Sequence, residues 1–302
     1  MIIIEEDEYG VCQQRCCDYG KIHNHNLYLI DLFLRSKQLE GLSPLTLNNY
    51  KGIILLLDDI KKPLDEIVSS DIKHFLAYYQ STHNISNLSL DNMRRVLSSF
   101  YGYLDDENMI YKNPVKSVHK IKSKSKIKKP FSEEEVVRLQ DACHSLRDRA
   151  LVDFLYSTGV RVSELCRLNR EDIDYTNREL IVFGKGNKER VVYFDYRTKV
   201  HLLNYVDSRN DHNNALFITS KKPFERLTPA GVEYILCGIG EKAKVPKCHP
   251  HRFRRTLATR LINRGMPIEQ VQKLLGHIKI DTTLIYAQVD QANVKLSHER
   301  FV

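Results

Sequence analysis

Apolar residues recur at helical spacing along the first hundred positions of the chain. Leu27, Ile30 and Leu34 share one helical face, and Gly41 would end that helix. Three more helices are predicted downstream: one from the Ser43-Pro44 cap, one after Ser69-Ser70, and one over about 88–104. Four short helices with brief connections predict a small bundle over residues 26–111. Residues 1–25 have no sustained periodicity, and we expect an extension there.

Several polar side chains of this bundle are candidates for phosphate contacts. They are Thr46, Asn49, Tyr50, Lys51, Lys73, His74, Arg94 and Arg95. For any one of them, a solvated helix surface is the simpler interpretation. The set as a whole favours a surface that lies against a nucleic acid backbone.

A lysine-rich stretch separates the bundle from the rest of the chain. Residues 112–130 contain eight lysines, no acidic residue, and prolines near both ends. Because such a segment repels itself and cannot pack a core, we predict an extended linker. It is either a plain basic connection or a segment that follows a phosphate backbone and releases counterions on binding.

The pattern changes again in residues 131–302, the predicted second domain. Ser132 and Glu135 form a capping box, so a helix begins there. Further helices are predicted from about Arg147 to Gly159, at Val160–Leu165 with Ser163 as its cap, over about 198–207, and from about 229 to 243 with Thr228 as cap. The end of the chain is predicted to be helical over about 250–263, 267–275 and 282–288, with a final segment to Val302. Period-two patterns predict a β-hairpin of Leu180–Phe183 and Arg190–Phe194 across a turn at Gly184–Asn187, and a short strand over Leu216–Ile218. The predicted fold class is mainly α with a small β-hairpin or sheet (α+β).

Charge and length then restrict the class of protein. The chain has 302 residues, enough for two ordinary domains, and a formal net charge of +8 with a pI near 9.0. This charge favours nucleic acid as the partner, and an anionic membrane surface is the alternative. No apolar run approaches the roughly 20 residues that span a bilayer. The first four residues are too short an apolar run, and too quickly followed by Glu5, Glu6 and Asp7, for a signal peptide. We therefore expect a cytoplasmic protein with no membrane partner.

The cysteines exclude a disulfide framework. The chain has seven, an odd number without regular spacing, which is typical of reduced thiols. Cys12, Cys16 and Cys17 lie close together, but a zinc site would need a fourth ligand, and only His23 and His25 are near. We predict no metal site.

Residues 248–302 carry the chemistry. His251 and Arg254 are three positions apart, so on a helix they project from one face towards the same ligand. Gly276 would end the next helix and fix the backbone before His277, and Tyr286 lies in the helix after that. Singly, these residues are equally well explained as an ion pair, a helix-dipole partner or a half-buried core residue. Together they form a group that can hold and attack a phosphodiester.

At these positions the chain resembles the tyrosine site-specific recombinases, the integrases and Xer-type recombinases of bacteria and mobile elements. The resemblance covers residue 26 to about residue 289. Its motifs are Thr158-Gly159-Val160-Arg161-Val162-Ser163-Glu164-Leu165, Gly184-Lys185-Gly186-Asn187-Lys188-Glu189-Arg190, His251-Arg252-Phe253-Arg254, Leu274-Leu275-Gly276-His277 and Tyr286. The resemblance implies six catalytic residues: Arg161 and Arg254 as the two arginines, Lys185 as the hairpin lysine, His251 and His277 as the two histidines, and Tyr286 as the nucleophile.

Elementary chemistry agrees with these roles. Negative charge builds up on a phosphodiester under attack, so two arginines on its non-bridging oxygens stabilise the transition state, and no metal or other cofactor is required. A tyrosine of pKa about 10 needs help at neutral pH, which His251 would give as a base. Lys185 would protonate the departing 5′-oxygen. The resulting 3′-phosphotyrosyl link keeps the bond energy, so a 5′-hydroxyl of another strand can reverse the step without ATP.

Two features depart from the family's pattern. Arg255 stands where the family often has histidine, and residues 1–25 have no counterpart in a minimal recombinase. Glu164 is expected to orient Arg161 rather than to react.

The resemblance also implies the partners. Double-stranded DNA with inverted half-sites would be bound by four protomers, either identical or paired with a related recombinase, for integration, excision or resolution of DNA. The alternatives are a type IB topoisomerase and a non-catalytic DNA-binding regulator that retains the fold.

Overall fold

The computed structural model describes residues 6–123, 129–184 and 189–276, with the backbone alone for residues 6–19. The chain divides into two compact units, residues 1–126 and 127–302. Each unit has its own buried apolar cluster.

The first unit is helical. Its helices are α1 (Glu6–Leu39), α2 (Pro44–Leu55), α3 (Ser69–His83) and α4 (Asn87–Asp106), with 3₁₀ turns at Leu56–Ile60 and Leu64–Glu66 between α2 and α3. Phe33 of α1, Leu57, and Leu97 and Phe100 of α4 are fully buried in the core. Ser43 caps α2 as expected, because its hydroxyl accepts from the backbone N–H of Thr46 at 3.3 Å. The predicted bundle is confirmed.

Helix α1 is much longer than the sequence pattern indicates. It begins at Glu6, so most of the expected extension is helical and Asn26 lies within the helix. Asn26 is buried, donates to Asp58 Oδ1 at 2.9 Å and accepts from the backbone N–H of Leu64 at 2.9 Å. Once a helix is nucleated by packed residues it can continue through polar sequence, because propagation costs far less than nucleation. Apolar periodicity detects only the packed part.

The first half of the expected linker belongs to the helical unit. Val115 is buried, and Val118 and Ile121 pack against the same core. The backbone N–H of Ile121 donates to Asp91 Oδ1 at 3.1 Å. This segment packs, contrary to the expectation of free extended chain, because its lysines are interrupted every third residue by an apolar side chain.

The second unit contains seven described helices and one hairpin. They are α5 (Glu133–Asp141), α6 (Leu146–Thr158), α7 (Val162–Leu165), β1 (Glu179–Phe183), β2 (Glu189–Tyr193), α8 (Tyr196–Asp207), α9 (Pro229–Lys242), α10 (Pro250–Asn263) and α11 (Ile268–Leu275). The strands β1 and β2 are antiparallel, with Ile181 opposite Val191. The predicted α+β class is confirmed.

Helix α6 runs through the centre of this core. It packs against α8 and α10, and Phe154 and Leu155 on it are fully buried. The Ser132–Glu135 capping box at α5 and the Thr228 cap of α9 are present as predicted.

Two local predictions in this unit are wrong. Ser163 does not cap α7; Arg161 occupies the cap position, and the Glu164 carboxylate accepts from its backbone N–H at 2.8 Å. Residues 215–218 do not form a strand but make isolated bridges, one of them from Ile218 to Arg226. This stretch pairs with two unrelated loops, so it never gains a continuous ladder.

Candidate active site

Three of the six predicted catalytic residues lie in the described part of the chain. They are Arg161, His251 and Arg254. Lys185, His277 and Tyr286 lie outside the described residues. Their assignment remains a prediction.

Arg161 sits at a tight turn between α6 and α7. Gly159 makes the turn possible with φ +59°, and a side chain there would meet Leu257 Cδ2 at 2.8 Å. The Arg161 guanidinium donates to Glu164 Oε1 at 2.7 Å and to the carbonyl oxygen of Gly276 at 2.9 Å. Its side chain remains 31% exposed, so a phosphate can still reach it.

Arg254 approaches the same place from α10. It is buried, donates through Nη1 to the carbonyl oxygen of Gly159 at 2.8 Å, and donates through Nη2 to that of Leu275. Arg161 and Arg254 therefore hold consecutive carbonyl groups at the C-terminal end of α11. These are the carbonyls that lack partners within the helix, and the negative end of its dipole favours cations.

His251 lies one helical turn before Arg254 and is exposed. Partial desolvation, together with the positive charges of Arg254 and Arg161, lowers the pKa of His251 below its usual value. The imidazole is therefore neutral at pH 7 and can accept a proton. His251 shares α10 with Arg254, and Arg161 and Arg254 meet at the end of α11, so the three residues lie around one site.

Glu164 is the buried acid behind this site. Burial opposes its ionisation, but hydrogen bonds from Arg190 and from the backbone and side chain of Arg161 outweigh that effect and lower its pKa to about 2. It is therefore fully charged at neutral pH. The contact with Arg161 is the one expected from the sequence.

Sequence reasoning gave no role to Arg190, the second residue of β2. Its side chain is 8% exposed, and Nη1 and Nη2 donate to the two oxygens of Glu164, each at 2.7 Å. Its Nε donates to the carbonyl oxygen of Leu274 at 2.9 Å. Three arginines thus hold three successive carbonyls at the end of α11 and its C-cap: Arg190 binds Leu274, Arg254 binds Leu275, and Arg161 binds Gly276. The motif around residues 184–190 was the only sequence signal for Arg190.

The outer side of α10 is fixed to the start of the second unit. Arg252 donates to both oxygens of Glu135, at 3.0 and 2.7 Å, and lies 4.0 Å over the ring of Phe131. Thr256 accepts from the backbone N–H of Phe131 at 2.8 Å, and Arg255 donates to the carbonyl oxygen of Lys129 at 3.0 Å. These bonds set the position of the helix that carries His251 and Arg254.

In the helical unit, some of the candidate phosphate ligands have partners within the unit, whereas Arg95 also keeps an exposed side chain. Arg94 and Arg95 both pair with the buried carboxylate of Asp91, at 2.9 and 3.1 Å. Tyr50 stacks on Phe33 with ring centroids 5.9 Å apart, so its ring belongs to the core. Arg95 keeps an exposed side chain and stays a candidate for contact with DNA.

Among the described residues, no cluster of three or more histidine, cysteine or acidic side chains has the geometry to bind a metal ion. None of the described helices is long and apolar enough to cross a membrane.

Two converging arginines beside a histidine form a site suited to bind an anion such as a phosphate, and comparison with known proteins specifies the class of protein. Residues 111–293 match the phage integrase family, and residues 29–110 match the N-terminal SAM-like domain of phage integrases. The chain belongs to the phage integrase family.

Relatives and solved structures agree. The tyrosine recombinase XerC of Staphylococcus aureus is 34% identical over 286 residues, which cover 89% of this chain and 94% of the relative. The Tn1549 transposon integrase in complex with circular intermediate DNA superposes with a TM-score of 0.73 at 21% identity, over 90% of this chain and 99% of that one. XerH recombinase bound to its palindromic difH substrate gives a TM-score of 0.70 at 22% identity, over 87% and 81% of the two chains. This chain is accordingly a site-specific DNA recombinase, an enzyme that cuts and rejoins DNA strands.

Proposed function

We propose that Tyr286 attacks the scissile phosphate of a double-stranded DNA site and forms a 3′-phosphotyrosyl intermediate, with Arg161, Lys185, His251, Arg254 and His277 as the other catalytic residues. The observation that supports this proposal is that Arg254 and Arg161 converge on neighbouring carbonyls, those of Leu275 and Gly276 respectively. His277 is the next residue along the chain.

The two arginines would bind the phosphate. Each is already fixed by carbonyl or carboxylate acceptors, so little reorganisation accompanies the reaction. The hydrogen bonds that the two guanidinium groups donate become stronger as the second negative charge develops on the phosphoryl oxygens. Because this stabilises the transition state more than the bound substrate, it lowers the barrier.

Proton transfers would fall to two other groups. His251, neutral because its pKa is lowered, accepts the proton of the Tyr286 hydroxyl. Lys185 donates a proton to the departing 5′-oxygen. The phosphorus–oxygen bond to that 5′-oxygen breaks as the bond to the tyrosine oxygen forms, so the number of phosphodiester bonds is conserved and no ATP is consumed.

The wider assembly is proposed on the same basis. DNA sites with inverted half-sites would bind one protomer on each half, and two such duplexes would bring four protomers together. The four are identical or include a related recombinase. A net charge of +8 favours this DNA partner.

The test uses a covalent trap. DNA sites are selected by the full chain from a random-sequence duplex library, and one strand is nicked near the centre so that the cleaved fragment is lost. We expect a protein–DNA adduct that survives denaturant and is absent from Tyr286→Phe. No adduct with any selected site would refute the proposal and leave a DNA-binding regulator.

A second assay separates recombination from topoisomerase activity. Two labelled duplexes that carry the selected site are mixed with the protein, and exchanged products are resolved by size. Exchange supports strand transfer between sites, whereas relaxation of supercoiled plasmid without exchange would indicate a type IB topoisomerase.

A further inference from the structure

Arg190 connects three separate parts of the second unit (residues 127–302), called the catalytic unit below. It belongs to β2 and lies five positions after Lys185 in the sequence, yet its guanidinium bonds to Glu164 and to the carbonyl of Leu274. Glu164 in turn holds both the backbone N–H and the guanidinium of Arg161. The turn that carries Arg161, strand β2 and the end of α11 therefore meet at one buried side chain.

We propose that Arg190 is a positioning residue for strand cleavage: it fixes the hairpin against α11 and balances the charge of Glu164, so that Glu164 does not offset the positive charge that Arg161 offers to the phosphate. This inference rests on the proposed function of the same site. It assigns to Arg190 a role distinct from that of a simple stabilising ion pair.

The charge argument follows from how the carboxylate is shared. Arg190 engages both oxygens of Glu164 in a bidentate pair, whereas Arg161 reaches only Oε1 with its side chain. Without Arg190, the full negative charge of Glu164 would act on Arg161 alone. That charge would hold the guanidinium more firmly and oppose the approach of an anionic phosphate.

The geometric argument rests on Gly276. A Cβ at this position would lie 2.9 Å from Arg190 Cδ and 3.2 Å from its Nε, so the arginine packs directly on the Gly276 backbone. Gly276 has φ +64° and ends α11. The carbonyl of Gly276 also accepts a hydrogen bond from Arg161. A movement of Arg190 would therefore shift the Gly276 backbone and the contact that holds Arg161.

A matched ion pair in the same unit provides the control. Arg209 is 3% exposed, donates to both oxygens of Asp211 at 2.9 and 2.7 Å, and also binds backbone carbonyls. Its hydrogen bonds go to Asp211 and to the backbone of Asn213, Ala215 and Leu216, none of which is a proposed catalytic residue. A purely structural role would make Arg190 and Arg209 equivalent.

The experiment compares Arg190→Met, Arg190→Lys and Arg209→Met in the full chain. The rate of adduct formation on the nicked duplex is measured under single-turnover conditions. The temperature is kept below the range in which any variant unfolds. We expect Arg190→Met to cleave roughly tenfold to a hundredfold more slowly, as for other residues that orient a ligating group, and Arg190→Lys to recover part of that loss. DNA affinity should change less than the cleavage rate, and Arg209→Met should cleave at the wild-type rate.

A double-mutant cycle tests the charge-balancing role. In a Glu164→Gln background, Arg190→Met should slow cleavage much less than in the wild-type background, because no charge is left to balance. Cleavage by Arg190→Met at the wild-type rate would overturn the inference. So would a double variant whose loss of rate is the product of the losses in the two single variants. In both cases the proposed function would stand. No adduct from the wild-type protein would overturn both.

Discussion

Two buried carboxylates in the catalytic unit have similar partners and different consequences. Asp153 on α6 is 2% exposed and bonds to Gln140, Arg149 and His201, all within the packing of α5, α6 and α8. Glu164 is 4% exposed and bonds to two arginines.

What differs is the remaining contacts of the arginines. Arg149 donates its other bond to the carbonyl of Gln140, inside the same cluster. Arg161 and Arg190 instead reach the end of α11, where Arg254 also binds. A buried acid–arginine pair stabilises a core wherever it occurs, but it organises a reaction site only where its partners also bind the segments that carry reactive groups.

The largest expected effect separates the two acids. Glu164→Ala and Asp153→Ala should each lower the free energy of unfolding by about 3–5 kcal/mol, because each removes a buried carboxylate and leaves the donors that it binds without an acceptor. Urea titration of the catalytic unit's transition measures this. When cleavage is measured at urea concentrations below the unfolding transition, we expect it to be lost in Glu164→Ala and retained in Asp153→Ala. Equal loss of cleavage in Asp153→Ala would show that the two clusters do not differ in function.

Removal of the two arginines that are proposed to bind the phosphate comes next. Arg161→Ala and Arg254→Ala should each reduce the single-turnover cleavage rate about 100- to 1,000-fold, equivalent to about 2.7–4 kcal/mol of transition-state stabilisation. Arg149→Ala is the matched control, since it removes an arginine from the Asp153 cluster. If Arg149→Ala were as slow as Arg161→Ala, stability rather than phosphate binding would explain the loss.

A smaller effect is expected from the turn that places Arg161. Gly159→Ala puts a side chain at φ +59° and within 2.8 Å of Leu257 Cδ2, which should cost about 1–2 kcal/mol of stability from backbone strain and slow cleavage by displacing Arg161. Gly102→Ala in α4 has no atom within 4 Å of the new Cβ, and it should be neutral or stabilising. Thermal unfolding of both variants measures the difference; equal shifts would contradict the strain argument.

The smallest effect concerns pH. His251 must be neutral to accept a proton, and its pKa lies below the usual value of about 6.5, so cleavage should fall only as the pH drops through that depressed pKa. Arg255 is one of the cations that lower it. Arg255→Met should therefore move the acidic fall in rate to higher pH, as measured by cleavage rates in a buffer series. An unchanged or lower midpoint would contradict the role of His251 as base.

Much of the fold follows from local sequence. The Ser43-Pro44 start of α2, the Ser132–Glu135 capping box and the hairpin of β1 and β2 were all predicted correctly, because caps and turns are set by neighbouring residues. The first twenty residues of α1 were missed, since their polar sequence carries no apolar period. The packing of residues 113–121 was hidden by the lysines around Val115 and Ile121.

The candidate site also has a part that the sequence predicts and a part that it does not. The three-residue spacing of His251 and Arg254 predicts a shared helix face, and both residues lie on α10. Arg190 could not be predicted, because its partners Glu164 and Leu274 are 26 and 84 positions away along the chain. Residue type alone does not distinguish it from Arg178, which lies over an exposed tyrosine ring.

The central claim is that Tyr286 is the nucleophile, and the most direct test is to locate the attachment point. The adduct trapped on the nicked duplex is digested with nuclease and protease, and the remaining nucleotide is mapped by mass spectrometry. The chain has 16 tyrosines, so mapping the attachment point distinguishes Tyr286 from the other tyrosines. We predict a 3′-linked nucleotide on the peptide that contains Tyr286. A nucleotide on any other residue, or a 5′ linkage, would contradict the proposed mechanism.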